Sequence, residues 1–475
     1  MNETNNPNKK MTSVMIGLEI HVYLNTKSKL FCSCSTDIIN AEPNSVTCPV
    51  CLAHPGSKPV LNAKAVEHAI KVGLALNCKI NNNFFFSRKT YFYPDMSANY
   101  QITQYEVPVA ENGFIKLGEK KVRIRRAHLE LDPAALIHPQ GLGKSNYSLI
   151  DYNRSGFPLL EIVTEPDFSS PLEARGFLNQ LETILSYLNV LMPNMTMKAD
   201  CNISINGGNR VEIKNVSGFQ AAEKALAFEL ARQKQQEKVG NKIEQCTRLF
   251  NADTGQTVEA RKKETEEDYG YIFDPDLVKV FLNNKQIEKI RNEMPELPQQ
   301  KIQRFVSEYN LNEYESNVLC NNFDLSKLFE ELMQKKVDAK ITSNLLTREL
   351  LSILNHDSLK LNQVKIKIND LQELILLIKN GKVSDKNVKQ SLINYISGDN
   401  TPPKEYLEKN GLLIKEIDLE SIINNVLEKN NNAVLDYKKG NNKVINFLAG
   451  LVMRETKGSA RIEEVLEKLK QKISE

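Results

Sequence analysis

The stretch Ile16-Gly17-Leu18-Glu19-Ile20-His21-Val22-Tyr23-Leu24 alternates between apolar and polar residues along most of its length. A period of two belongs to a strand, so Glu19, His21 and Tyr23 share one face and Leu18, Ile20, Val22 and Leu24 the other. The pattern recurs in Val122-Arg123-Ile124-Arg125, His128-Leu129-Glu130-Leu131-Asp132, Asp200-Cys201-Asn202-Ile203-Ser204-Ile205 and Arg210-Val211-Glu212-Ile213-Lys214. One such strand describes only the solvated side of an antiparallel sheet. Five whose polar positions hold Glu, His, Asp, Asn, Arg and Lys describe a sheet face suited to a charged substrate, with acids for a metal and bases for phosphates.

At 475 residues the chain has length for two to four domains and a substantial core. Its 41% hydrophobic and 25% charged residues are ordinary for a soluble protein. No apolar run reaches the length of a membrane span, and Met1-Asn2-Glu3-Thr4-Asn5 lacks a signal-peptide core, so a cytoplasmic protein is expected. A formal net charge of +3 decides nothing about nucleic acid, which depends on local patches.

Of eight cysteines, four lie in twenty residues as Cys32-x-Cys34 and Cys48-x-x-Cys51, and Pro49 favours a tight turn between the second pair. Two close pairs separated by a loop suit tetrahedral thiolate coordination of a structural Zn²⁺, with reduced free thiols as the alternative. Cys78, Cys201, Cys246 and Cys320 are solitary and read as small buried hydrophobes.

Residues 1–11 are polar and read as disordered. Strand patterns then run to about residue 280, interrupted by two helices. Ser170-Pro171-Leu172-Glu173 predicts a capping box ahead of a stripe of Phe177, Leu181, Ile184, Leu185 and Leu188. Ser217-Gly218-Phe219-Gln220 predicts another, ahead of Phe219, Ala222, Leu226 and Leu230. From Pro295 amphipathic helices follow, with Leu345, Leu346, Leu350, Ile353 and Leu354 as one stripe, and Thr401-Pro402-Pro403 reads as a linker or domain boundary. A small helical module closes the chain, with Phe447, Leu448, Leu451 and Val452 on the buried side of one helix and Ile462, Val465, Leu466, Leu469 and Ile473 on another. Lys438, Lys439, Lys443, Arg454, Lys457 and Arg461 form a basic surface there, suited to phosphates; a solvated lysine-rich face is the plain alternative.

There is no P-loop, dinucleotide fingerprint or nucleophile elbow, so any use of ATP occurs on an unusual scaffold. Glu19 and His21, with Glu130, Asp132 and Glu212 from other strands, are candidates to hold Mg²⁺, although a histidine better suits Zn²⁺ or Mn²⁺. Ser87-Arg88-Lys89-Thr90-Tyr91-Phe92-Tyr93-Pro94-Asp95 interleaves bases with aromatics, a pattern shared by nucleotide sites and half-buried strands. Asp151-Tyr152-Asn153-Arg154-Ser155-Gly156 is a polar turn feeding the apolar strand from Leu159 to Val163.

Taken in order, Gly17-Leu18-Glu19-Ile20-His21, Cys48-Pro49-Val50-Cys51, Tyr91-Phe92-Tyr93-Pro94-Asp95, Tyr100-Gln101-Ile102-Thr103-Gln104-Tyr105, Asp151 to Gly156, Pro158-Leu159-Leu160-Glu161-Ile162, Asp200-x-Asn202-Ile203-Ser204 and Glu212-Ile213-Lys214-Asn215 closely resemble the B-subunit family of glutamyl/aspartyl-tRNA amidotransferases. The resemblance runs end to end, including Phe447 to Ala460. It implies an α+β fold: an antiparallel-sheet cradle with a zinc knuckle at 12–290, a helical domain at 291–403 and a tRNA-binding helical tail at 404–475. It also implies a heterotrimer with a glutaminase, or amidase (the A subunit), and a small third protein (the C subunit). In that family, ATP and Mg²⁺ serve to phosphorylate the side-chain carboxylate of Glu-tRNA or Asp-tRNA, and ammonia freed from glutamine displaces phosphate.

By the same resemblance the metal positions fall on Glu19, His21 and Glu130, with Glu212 and Lys214 also catalytic. Nucleotide and substrate contacts are expected from Lys89, Tyr91, Asp151, Asn153, Arg154, Asp200 and Asn202. Two motifs depart from the family pattern. Glu-Glu-Asp-Ala-Gly-Lys reads Glu130-Leu131-Asp132-Pro133-Ala134-Ala135, and an arginine of a second motif is Gly270. A scaffold that binds tRNA without catalysis is therefore the rival reading. The related archaeal subunit is set aside because 475 residues leave no room for its inserted domain.

Overall fold

The computed structural model describes residues 12–141, 145–214, 216–262, 270–414, 419–438, 441, 444–455 and 462–474. The expectation for residues 1–11 lies outside them. The first of two compact units, residues 1–301, holds the strands β1 (Val14–Tyr23), β2 (Lys79–Ile80), β3 (Asn83–Phe84), β4 (Ser87–Thr90), β5 (Tyr100–Thr103), β6 (Ala110–Leu117), β7 (Lys120–Leu131) and β8 (Ala135–Ile137). It continues with β9 (Leu149–Asp151), β10 (Pro158–Thr164), β11 (Lys198–Ile205), β12 (Val211–Lys214), β13 (Cys246–Asn251), β14 (Gln256–Lys262), β15 (Gly270–Phe273) and β16 (Val280–Phe281). Nine of these form one sheet in the order β14-β13-β12-β11-β1-β10-β7-β6-β2. Every neighbouring pair in it is antiparallel except β12 and β13. A parallel pair needs a long crossover, and the helix α3 (Phe219–Lys238) lies within this one.

The five alternating stretches therefore belong to one sheet, but to four strands. Val122–Arg125 and His128–Asp132 are parts of one continuous ribbon whose parity flips midway. Val163 pairs with Arg126 and Thr164 with Ile124, leaving Arg125 as the extra residue of a β-bulge. Above the bulge Val122 and Ile124 point into the core; below it Ala127 and Leu129 do.

The apolar face carries Leu18, Ile20, Val22, Leu160, Ile162, Cys201, Ile203 and Ile213 in matched register. Against it pack α1 (Ala63–Ala75), α2 (Pro171–Tyr187) and α3, joined in a single core through Ala69, Ile70, Phe177, Leu181, Ala222 and Leu226. Burying a Leu, Ile or Phe side chain stabilises by roughly 1.5–3 kcal/mol, so this layer fixes which side of every site strand faces out. Of these three helices, α1 has no counterpart in the sequence reading; Asn62 caps it by accepting from the amides of Lys64 and Ala65.

The two expected capping boxes resolve differently. At α2 the Ser170 hydroxyl accepts from the Glu173 amide, but the Glu173 carboxylate reaches one residue further back, to the Ser169 amide at 2.9 Å. At α3 the box does not form. Gly218 is the N-cap, at φ 89°, and no side chain caps the helix. That left-handed conformation is one that glycine takes at no steric cost, and Ser217 is drawn into a bridge with Lys198. The α3 stripe continues into Glu229 and Gln233, both fully buried; Glu229 pairs with Arg232 at 2.7 Å and accepts from Thr257 at 3.1 Å, fastening the helix to β14.

The second unit, residues 302–475, is helical. The helix α4 (Asn284–Asn292) closes the first unit, and α5 (Pro298–Tyr309) spans the division. Then come α6 (Glu313–Cys320), α7 (Phe323–Gln334), α8 (Ala339–Asn344), α9 (Leu351–His356), α10 (Ile368–Lys379), α11 (Asp385–Ser397) and α12 (Pro403–Lys409). The Leu345–Leu354 stripe is buried as expected, carried through a π-helical turn at Leu345–Leu350 between α8 and α9. Thr401-Pro402-Pro403 is a helix start and not a linker, because proline at the first helical position loses no hydrogen bond. Leu407, four residues on, is fully buried in the same core as Phe305, Leu346 and Leu392.

A separate small core lies between α13 (Leu419–Lys429), α15 (Val444–Glu455) and α16 (Ile462–Ser474), with α14 (Asn431–Lys438) against it. Leu448, Val452, Val465, Leu469 and Ile473 are buried there; Phe447 and Ile462 were expected on those stripes but are 56% and 46% exposed.

Candidate functional site

On the face opposite the helices, strand register sets side chains in rows. His21 lies opposite Glu161 of β10, and Glu161 opposite His128 of β7. The next row aligns Tyr23, Leu159 and Glu130. Ligand atoms of His21, Glu130 and Glu161 lie within 4.8 Å of one another. Glu130 is held hard: Gln101 Nε2 and Thr103 Oγ1 of β5 donate to its two oxygens at 2.7 and 2.8 Å. Tyr91 donates in turn to Gln101 Oε1 at 3.0 Å. His128 stands behind both acids, 3.3 Å from Glu161 and 3.8 Å from Glu130.

Two carboxylates brought this close repel each other and resist burial, so something must keep them ionised. Burial pushes Glu161 up, but His128, then His21 and Lys89, hold it well below the usual carboxylate range. Glu130 is likewise lowered against burial by His128 and Lys89. Burial disfavours a charged His128, and the two glutamates outweigh that and raise it.

One row over lies a second cluster. Lys214 Nζ donates to Asp200 at 2.9 Å and stands 3.7 Å from Glu212; although burial lowers its pKa, Asp200 and Glu212 raise it further. Thr247 donates to Glu212 at 2.9 Å, and Asn202 donates to Glu19 at 2.9 Å. The sheet thus gathers Glu19, His21, Glu130, Asp200, Asn202, Glu212 and Lys214 on one face, with Lys89 and Tyr91 reaching it from β4 and the loop after it. Glu19, expected beside His21 on a metal, sits with Asn202 in the second cluster, and Glu161 takes the place in the acid–histidine group. Glu161 belongs to the quoted Pro158–Ile162 motif but not to the site residues expected from the sequence; a lone acid among Leu159, Leu160, Ile162 and Val163 is its signal.

Asp151, Asn153 and Arg154, expected to touch nucleotide, have these partners within the chain. Asp151 accepts from the amides of Asn44 and Asn153, both at 2.9 Å. Asn153, 1% exposed, accepts from the Val46 amide and donates to the Glu42 carbonyl, both at 2.7 Å. Arg154 pairs with Asp132 at 2.8 Å and donates to the Ala134 carbonyl. Asp132 is pushed up to about 6 by burial, against Arg154, and receives the Tyr23 hydroxyl. This loop is a seam joining the end of β7 to the cysteine loop. Asn153→Ala removes two buried hydrogen bonds at once and is expected to destabilise the first unit by about 1–3 kcal/mol. Thermal unfolding measures it, and an unchanged midpoint would contradict the seam.

Beyond the seam the sulfurs of Cys32, Cys34, Cys48 and Cys51 lie within 4.8 Å of one another. Cys48 and Cys51 are 3.8 Å apart, close to the edge of a tetrahedron with ~2.3 Å metal–sulfur bonds, and the Cys48 amide donates to Cys51 Sγ at 3.1 Å. The Cys51 thiol is pulled down to about 4, first by hydrogen bonding with Cys32 and against the effect of burial. Donor number, donor type and spacing fit a four-coordinate structural metal.

Of the basic tail residues, Lys438 and Arg454 are exposed in the last turns of α14 and α15; Lys439, Lys443, Lys457 and Arg461 lie outside the described residues. Among the described residues no helix is long and apolar enough to cross a membrane.

Residues 14–288 match a family model described as the GatB/GatE catalytic domain, and residues 327–473 one described as a GatB domain. The B subunit of the aspartyl/glutamyl-tRNA(Asn/Gln) amidotransferase of Saccharolobus solfataricus is 45% identical over 469 residues, 97% of this chain and 99% of that one. Its namesake from Thermotoga neapolitana is 41% identical over 477 residues, 97% and 98% of the two chains. That of Methanosarcina barkeri is 43% identical over 473 residues, 94% and 95%. With both models matched and relatives aligned over nearly their whole length, the chain belongs to the family of aspartyl/glutamyl-tRNA(Asn/Gln) amidotransferase B subunits.

Proposed function

We propose that this chain is the carboxylate-activating, tRNA-binding subunit of a glutamine-dependent ligase that turns Glu-tRNA(Gln), Asp-tRNA(Asn) or both into the amidated forms. The single observation that carries the reading is the polar sheet face, where His21, Glu130 and Glu161 converge beside Lys214 and its acids. The chemistry needs such a face. A carboxylate is a poor acyl electrophile until one oxygen becomes a leaving group. Phosphoryl transfer from ATP gives an acyl phosphate and ADP; ammonia then attacks the acyl carbon and inorganic phosphate departs. The first step brings two anions together, which calls for fixed positive charge.

Glu130 and Glu161 fit a hard divalent cation such as Mg²⁺, with His21 at its margin as the softer donor. Such an ion, when bound, supplies charge neutralisation for phosphate oxygens. Lys89 and Lys214 add cations on the same face, and Gln101 and Thr103 keep Glu130 aimed. The four cysteines fit Zn²⁺. Lys438 and Arg454, with the basic residues around them, offer phosphate contacts that give affinity for tRNA without reading its sequence. Ammonia is expected from a partner glutaminase, the A subunit, in a heterotrimer completed by a small C subunit, in the cytoplasm where tRNA is charged.

The test is ADP release by the complex co-purified with its amidase, comparing Glu-tRNA, Asp-tRNA and uncharged tRNA. Release that depends on a mischarged tRNA is expected and identifies the substrate. Binding of both charged tRNAs without any stimulated release would favour a scaffold that has lost catalysis, as the changes at Leu131, Ala135 and Gly270 would then suggest.

A further inference from the structure

Lys29 is fully buried, which is rare for a lysine, and it lies between β1 and the first cysteine pair. An ammonium group has three donors, and here each has an acceptor. Nζ donates to the Val46 carbonyl at 3.0 Å and the Tyr152 carbonyl at 3.3 Å, and it stands 3.5 Å from Cys51 Sγ. Among the described residues no carboxylate pairs with it. A buried ammonium is stabilised by an anion beside it, and of its three neighbours only the sulfur can carry negative charge.

The opposite account comes from the cysteines. Four thiolates around a divalent cation carry a net charge of −2, and Cys51 is the buried member of the set. The two imbalances meet at one contact. The same Nζ also links both sides of the seam, because Val46 precedes the second cysteine pair while Tyr152 belongs to the loop that leads into β10. Around it the Leu30 amide donates to the Gly156 carbonyl at 2.8 Å and the Ser155 hydroxyl to the Cys51 carbonyl at 3.1 Å. Gly156 is at φ +89°, and a Cβ there would stand 3.4 Å from Lys29 Cδ. The loop backbone thus runs alongside the lysine stem.

We propose that Lys29 is the built-in counter-cation of the four-cysteine metal site, and that through it metal occupancy sets the order of the 150–157 loop. The proposal rests on the reading of the cysteines as a Zn²⁺ site. Lys29 touches no substrate; it is a positioning residue, acting through Cys51 and the Tyr152 carbonyl.

The test begins with the metal content of the full wild-type chain, where about one zinc per chain is expected from the four-cysteine reading. A chain without metal would sink that reading and the proposal with it. Given bound zinc, Lys29→Met, which keeps the length and removes the charge, is expected to release zinc to a chelating dye about 10–100-fold faster. Lys29→Arg should recover most of the retention. Wild-type release from a folded Lys29→Met would overturn the proposal while leaving the zinc reading intact. Should Lys29→Met fail to fold, wild-type protein decides by hydrogen exchange. Stripping zinc should deprotect the amides of residues 150–157, and unchanged protection there would overturn the coupling.

Discussion

Glu130→Gln is expected to lower amidation and ADP release by on the order of 10³-fold while leaving tRNA affinity within a few fold. The substitution keeps the shape and removes the charge. It also sets an amide where two donors already point: Gln101 Nε2 and Thr103 Oγ1 each need an oxygen, and glutamine offers one. Either His128 or one of these donors then loses its partner in a buried site, so the Glu161 side of the cluster is disturbed as well. Glu161→Gln should fall by a similar factor, because the cluster that spans these two adjacent rows relies on both acids. Kinetics with saturating mischarged tRNA, beside filter binding of the same tRNA, separate the two quantities. Amidation that survives Glu130→Gln would mean that the acid–histidine cluster is not where charge is neutralised.

Phe329→Ala should be the most destabilising single change in the helical unit. Phe329 is fully buried in α7, with its ring 4.9 Å from Phe305 and 5.4 Å from Tyr309. Removing a ring from such a place costs about 3–5 kcal/mol, through lost transfer energy and the cavity left behind. Calorimetry should show the transition of the core that holds Phe305, Leu346 and Leu392 moving down while that of the sheet unit stays, since their cores are separate clusters. A loss below about 1 kcal/mol would mean that the aromatic cluster collapses around the gap.

Period-two alternation made the site strands legible, because one buried face forces every second residue outward. It placed Glu19, His21, Asp200, Asn202, Glu212 and Lys214 together before any pairing was known. Three things lay beyond it. Alternation cannot see a β-bulge, so the β7 ribbon reads as two stretches; only its pairing with β10 reveals Arg125 as the extra residue. It also undervalues a charge in an apolar run: Glu161 sits among four hydrophobes because Leu160 and Ile162 enter the core while Leu159, on the site face, is buried in a small cluster with Tyr23, Phe157 and Met192. Lastly, local sequence cannot show what a polar turn holds. Asp151 and Asn153 have the composition of a ligand-binding loop, yet their partners Asn44, Val46 and Glu42 are more than 100 residues away. The Ser217 capping box failed for a related reason, as a long-range bridge to Lys198 outbid a local hydrogen bond.

The strand order has a consequence for how this protein stays out of trouble with its neighbours. The five strands that bear site residues, from β12 to β7, are the middle five of nine, with two more on either flank. A sheet's danger lies at its rims, where unpaired amides and carbonyls invite a strand from another molecule. Among the described residues one rim is the two-residue β2, too short to template anything, and the other is β14, which exposes Glu259. Stray pairing at either rim would fray a strand that carries no chemistry, two places removed from the nearest one that does.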